Sequence, residues 1–119
     1  MITNGQYQGL RCLEVWPLEE WEVLEEKLEK MSSLRSEVQI YQRFYLSGAQ
    51  PVNTDAQGRI LVPQSLRSYA DFSDAVVLVG MGKKFELWDL EIWHSLYKKM
   101  AEEFGATLAK MAEWDRGES

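Results

Sequence analysis

The segment LEVWPLEEWEVLEEKL, residues 13–28, returns as FELWDLEIWHSLYKKM at residues 85–100. At a constant offset of 72, seven pairs are identical: Glu14/Glu86, Trp16/Trp88, Leu18/Leu90, Glu19/Glu91, Trp21/Trp93, Leu24/Leu96 and Lys27/Lys99. Leu13/Phe85, Val15/Leu87 and Leu28/Met100 keep their apolar character. Two matched tryptophan pairs within sixteen positions mark a tandem of two related units. Each copy alternates in the strand period over Cys12–Trp16 or Lys84–Trp88, with Glu14 and Glu86 opposite Leu13, Val15, Phe85 and Leu87. An amphipathic helix follows, its stripes running through Leu18, Trp21, Leu24, Leu28 and Met31, and through Leu90, Trp93, Leu96, Met100 and Phe104. Both stripes read as core packing. Pro17 suits a first helical position and Asp89 an N-cap.

Between the copies, Leu34, Val38, Tyr41, Phe44 and Tyr45 mark a further helix ended by Gly48. The turn DAQGR leads into a strand over Arg59–Val62, and Pro63 opens a short helix to Tyr69. DAVVLVG, residues 74–80, is the most apolar strand, and Met81–Lys83 turns the chain back into FELW. The second unit is thus strand, short helix, strand, strand, long helix. The first is read as lacking its front. Residues 1–11 supply only a strand equivalent to AVVLVG, with a longer turn over Gln6–Gly9. Two domains follow: an incomplete first repeat with linking helices over 1–48, and a complete repeat with its C-terminal helix over 49–119. Helical periodicity continues to Trp114, and Asp115–Ser119 is expected to fray.

Composition narrows the class. The 119 residues are 45% hydrophobic and 27% charged, a profile of a globular chain and not a disordered one. No apolar run approaches the roughly 20 residues of a membrane span, and MITNGQYQGL lacks the pattern of a signal peptide. One cysteine excludes an internal disulfide framework, and a cytoplasmic location is expected. The net charge of −6 argues against a strongly basic nucleic-acid binder. That charge is uneven, since Leu10–Met31 sets seven glutamates against Arg11, Lys27 and Lys30, whereas Asn53–Trp88 is balanced.

Catalytic patterns are not found. His94, the single histidine, reads as a surface or capping residue, and Cys12 as a buried small hydrophobe. The glutamates lie on helical faces without metal or acid–base spacing, and GMGKK departs from the phosphate-loop pattern. No enzyme, metal or cofactor is implied.

NTDAQGRILVPQSLRSYADFSDAVVLVGMGKKFELWDLEIW, residues 53–93, resembles the second repeat of the MraZ family of bacterial transcriptional regulators. The elements that carry the resemblance are D-x-x-x-R (Asp55 to Arg59), V-P-x-x-L-R (Val62 to Arg67) and the F-E-L-W-D junction. CLEVWPLEEWEVLEEKL is similar to the end of the family's first repeat, so the likeness covers about residues 10–100. It implies an α+β fold: an AbrB/MraZ-like swapped-hairpin β-barrel, closed by two tandem repeats and decorated by amphipathic helices. It also implies ring-like homo-oligomers that bind short direct repeats of double-stranded promoter DNA in a division and cell-wall gene cluster. Such a regulator would be cytoplasmic and nucleoid-associated, with no membrane partner. The family carries D-x-x-x-R in both repeats, and this chain shows it once.

The site residues follow from that segment. Gly58 permits a positive φ, Asp55 can bond turn amides, and the two are expected to shape the loop. Arg59 either pairs with Asp55 or reaches DNA, where its guanidinium can take a phosphate or a guanine edge bidentately. Arg67 either bridges to Asp71 at i+4 or contacts DNA. Lys83 and Lys84, read as turn residues, serve solubility or contact phosphate. The first reading is a sequence-specific DNA-binding regulator that gains avidity from an array of weak loops. Its rival is a truncated subunit that enters an oligomer through its barrel edge and helices and binds little DNA itself.

Overall fold

The computed structural model describes residues 1–117, which divide into a unit from Met1 to Asp89 and a second from Leu90 onward. The first unit is built on two hairpins. β1 (Ile2–Tyr7) pairs with β2 (Leu10–Val15), and β3 (Val76–Met81) pairs with β4 (Lys84–Asp89). Gln8 and Gly9 turn the first hairpin with φ of 50° and 78°, and Gly82 opens the second turn at 72°. Positive φ at these positions matches the twist of antiparallel strands, which tight two-residue turns require. Gln6–Gly9 is therefore not a longer turn. Cys12 pairs with Gly5 as Lys84 pairs with Met81, and the first hairpin then adds the rungs Gln6–Arg11 and Tyr7–Leu10.

The second strands of the hairpins meet at the centre, giving a sheet of order β1-β2-β4-β3. There Leu13 faces Leu87, Glu14 faces Glu86, and Val15 faces Phe85. Each position lies opposite a residue of the other sequence copy. The sheet is mixed with helices as an α+β arrangement, but it is open among the described residues and not a closed barrel. Arg59–Val62, expected as a strand, joins no ladder among the described residues. A strand exists only through a neighbour's donors and acceptors, and β1 gives its free edge to Gln50 instead. Ile2 N–H donates to the Gln50 carbonyl at 2.9 Å, and the Gln50 N–H returns a bond to Ile2 at 2.8 Å.

One face of the sheet carries the core, as the alternation foretold. Ile2, Leu13, Val15 and Leu87 pack with Leu66 of α3 (Gln64–Tyr69) and with Ala70 at its C-cap, flanked by Val52, Val62, Tyr69, Phe72 and Phe85. The opposite face, with Thr3, Cys12 and Glu14, is also buried. On this side lie Trp16, Trp21 of α1 (Leu18–Glu29) and Tyr45; Trp21 lies edge-on to Trp16 with centroids 6.2 Å apart and 5.8 Å from Tyr45.

Two prolines start helices from one position earlier than expected. Pro17 and Pro63 occupy the N-caps, with ψ of 143° and 142°, and their carbonyls accept from Trp21 and Arg67 at 3.0 Å. A fixed φ near −60° suits an N-cap as well as a first helical turn. The helix expected over Leu34–Tyr45 is α2 (Ser36–Tyr41) followed by a π-helical segment, Gln42–Leu46. Thr3 and Asn4 of β1 donate to the carbonyls of Tyr45 and Phe44 at 2.7 and 3.0 Å. Insertion of side-chain donors into a helix ladder is one cause of such widening.

The second unit is the helix α4, Leu90–Gly117. Leu96 is buried, whereas Tyr97, Phe104, Leu108, Met111 and Trp114 are exposed, and Trp93 is half-buried. The apolar stripe is therefore not core along its whole length. Asp115, Arg116 and Gly117 continue the helix rather than fray; Glu118 and Ser119 lie outside the described residues. No helix among the described residues is long and apolar enough to cross a membrane.

Candidate nucleic-acid interface

Asp55 organises its loop through both carboxylate oxygens. Oδ1 accepts from the amides of Gln57 and Arg59 at 2.9 Å each, and Oδ2 accepts from Arg59 Nε at 2.9 Å. The backbone closes the same loop, with Asp55 N–H donating to the Arg59 carbonyl and Gly58 N–H to that of Asp55. Gly58 sits at φ 79°, where a side chain would be strained. The Arg59 and Gln57 amides hold the Asp55 carboxyl below its ordinary 3.8. Both side chains are exposed, 73% for Arg59 and 44% for Asp55. Pinning Nε leaves the two terminal nitrogens of the guanidinium without a hydrogen bond among the described residues. That edge is the one that takes a phosphate or guanine bidentately.

Arg67 stands exposed in the last turn of α3 without an ion pair among the described residues. Its expected bridge to Asp71 is not made. Asp71 takes the left-handed conformation, φ 54°, just after the helix, where Asp71 N–H bonds the Ser68 carbonyl and Phe72 N–H that of Arg67. This helix stop turns the carboxylate away, and it meets Arg11 of β2 at 3.0 Å instead. Arg11 also lies over the Tyr69 ring, 5.5 Å from its centroid.

Lys83 occupies the second hairpin turn, 3.8 Å from Glu20 of α1. Lys84 is not a turn residue. It opens β4, its side chain 27% exposed, with Nζ 2.8 Å from Glu14 Oε1 and 5.2 Å from the Trp16 ring centroid. Tyr45 Oη donates to the same Glu14 oxygen and accepts from Trp16 Nε1 at 2.7 Å. Burial, then the Glu14 hydrogen bond, drives the Tyr45 hydroxyl far above its ordinary value. The structure thus gathers Asp55, Gly58 and Arg59 into one loop and ties Lys83 and Lys84 to separate glutamates. The identity of Glu14 and Glu86 flagged this position in the sequence; its pairing to Tyr45, 31 residues away, had no local signal.

Beside this network lies a cavity of about 590 Å³, lined by Trp16, Tyr41, Phe44 and Tyr45 among others. It shares no lining residue with the Asp55–Arg59 loop. Among the described residues no group of three or more His, Cys, Asp or Glu could hold a metal ion.

Comparison with known proteins matches residues 45–114 to a family described as "MraZ protein, putative antitoxin-like". A protein of Heliobacterium modesticaldum named transcriptional regulator MraZ is 40% identical over 104 residues, covering 87% of this chain and 73% of its own. Its namesake from Clostridium acetobutylicum is 40% identical over 102 residues, covering 86% and 71%. That of Desulfitobacterium hafniense is 42% identical over 99, covering 83% and 68%.

Proposed function

The chain belongs to the MraZ family, and from that premise we propose that it regulates transcription by binding short direct repeats in promoter DNA as a ring-like homo-oligomer. The promoter would be that of a division and cell-wall gene cluster, and the protein would act in the cytoplasm at the nucleoid. One observation carries the reading: Arg59 is held by Asp55 through Nε, while its terminal nitrogens make no hydrogen bond among the described residues and its side chain is exposed. Arg67, exposed and without an ion pair among the described residues, adds a second cation. Lys83 is a weaker phosphate contact, and Lys84 is assigned to the sheet through Glu14.

Assembly is supported by what the first unit leaves open. The outer edge of β3 has no strand partner among the described residues, and Val76, Leu78 and Met81 on it are exposed. An open edge recruits another chain. Arg59–Val62 has no strand partner among the described residues, and a swapped-hairpin barrel would supply one. The two repeats would close that barrel together.

Arg59→Ala tests the site. It should weaken binding to direct-repeat promoter DNA by roughly 1–3 kcal/mol per engaged protomer, at fixed salt and with unchanged circular dichroism and oligomer size. Unchanged affinity removes Arg59 from the interface. A second reading, an assembly subunit that binds little DNA, is favoured by the acidic partners of Arg59, Lys83 and Lys84. It requires that wild-type protein itself fail to bind such DNA.

A further inference from the structure

The cavity beside Tyr45 lies within the first unit, and its walls are largely aromatic and aliphatic, through Trp16, Leu24, Tyr41, Phe44 and Tyr45. At about 590 Å³ it falls in the range of roughly 300–1,000 Å³ that small-molecule sites occupy. Its polar groups converge on Glu14, which is 7% exposed and whose Oε1 already accepts from Tyr45 Oη and Lys84 Nζ. Oε2 accepts no hydrogen bond among the described residues. It is not sealed in, because the sealed and unpartnered side-chain atom among those residues is Asn4 Oδ1. Oε2 stands against Gly5, where a Cβ would lie 2.7 Å from it, and Gly5 lines the same cavity. A carboxylate accepts hydrogen bonds without donating, so this oxygen is satisfied by a donor from outside the protein.

Charge decides what kind of molecule supplies that donor. Lys84 Nζ stands 2.8 Å from Oε1 and 5.2 Å from the Trp16 ring centroid, so a second cation at Glu14 would be repelled. An anion would meet the carboxylates of Glu14 and Glu37, which both line the cavity. A neutral molecule meets neither penalty. The ring walls favour a flat aromatic body, which gains both apolar burial and ring–ring contact. We propose that this cavity binds a neutral aromatic compound bearing a ring N–H or a phenolic O–H. The donor bonds Glu14 Oε2, and the ring lies against Tyr41 and Phe44. The site is separate from the Asp55–Arg59 loop and does not rest on the DNA-binding reading.

Indole is the probe, and 1-methylindole is the control that keeps the ring and lacks the donor. Calorimetric titration of the full chain should show saturable indole binding with Kd below about 1 mM, within reach of a ligand of that size. 1-Methylindole should bind about tenfold more weakly or worse, since it leaves a charged acceptor unpaired. Amide NMR of the same chain should show indole shifting Gly5, Glu14, Trp16 and Tyr41 while the Asp55–Arg59 loop stays unmoved. Phe44→Ala removes a wall that is 47% exposed, so the fold should persist by circular dichroism while indole affinity falls about fivefold. No saturable binding, equal affinity for the two indoles, shifts confined to other parts of the chain, or unchanged affinity in Phe44→Ala would overturn the proposal.

Discussion

Asp55 receives two backbone amides and one guanidinium nitrogen on an exposed carboxylate, and its proton affinity falls accordingly. Because the folded value lies below the unfolded one, the loop bonds contribute stability above the ordinary 3.8 and lose it as pH falls through the folded value. A carbon-detected NMR titration should therefore place Asp55 below 3.8; a midpoint at or above it would contradict the loop geometry. Cys12 shows the opposite sign. Burial first, then Glu86 and Glu14, push its thiol from 9.0 to about 12. Its contribution is full below pH 9 and declines as pH rises towards 12, where the unfolded thiol ionises before the folded one. Native protein at pH 8 should label slowly with a maleimide and rapidly once denatured; equal rates would count against a buried thiol. At this scale the sequence was legible where partners are close in the chain, as with Asp55 and Arg59. Asp71 escaped it because a left-handed residue, not helical spacing, decides where that carboxylate points.

The elements read from periodicity were mostly found where the residues placed them. β2, β4, α1 and the start of α4 follow the alternation and apolar spacing of the two related segments, and α3 lies where Pro63 placed it. Two misses share one cause, since each depends on a partner distant in sequence. Arg59–Val62 has strand residues but no neighbour, and the helix widens after α2 where Thr3 and Asn4 take the carbonyls of Tyr45 and Phe44. Trp21 of α1, 3% exposed and packed on Trp16 and Tyr45, should cost about 3–5 kcal/mol on replacement by alanine. Its counterpart Trp93 is half-buried and should cost less, as chemical denaturation of both variants would show. Gly5 offers a sharper probe of the β1–β2 pair. A Cβ there would stand 2.7 Å from Glu14 Oε2 and 2.8 Å from Glu14 Cγ. Gly5→Ala should destabilise by about 1–3 kcal/mol, the range for overpacking, and a neutral effect would mean that Glu14 is free to move.

Across the whole molecule, net acidity and DNA binding are reconciled by where the charges lie. The glutamates concentrate in and around α1, while Arg59 and Arg67 stand on a stretch that is balanced in charge. One such loop would bind weakly, and an assembly presenting several to successive DNA repeats would bind by avidity. The repeat in the sequence foretold two hairpins, each running into a helix, and the central pairing of Glu14 with Glu86 joins them. Barrel closure was not legible in the same way, because closing the sheet needs strand partners that the described residues do not supply. The most direct test is a titration of the wild-type protein, at one fixed salt concentration, against promoter DNA with intact direct repeats and against the same DNA with the repeats scrambled. Sequence-specific regulation predicts a preference of about 10³ or more for the intact repeats. Equal affinity for the two DNAs would contradict it.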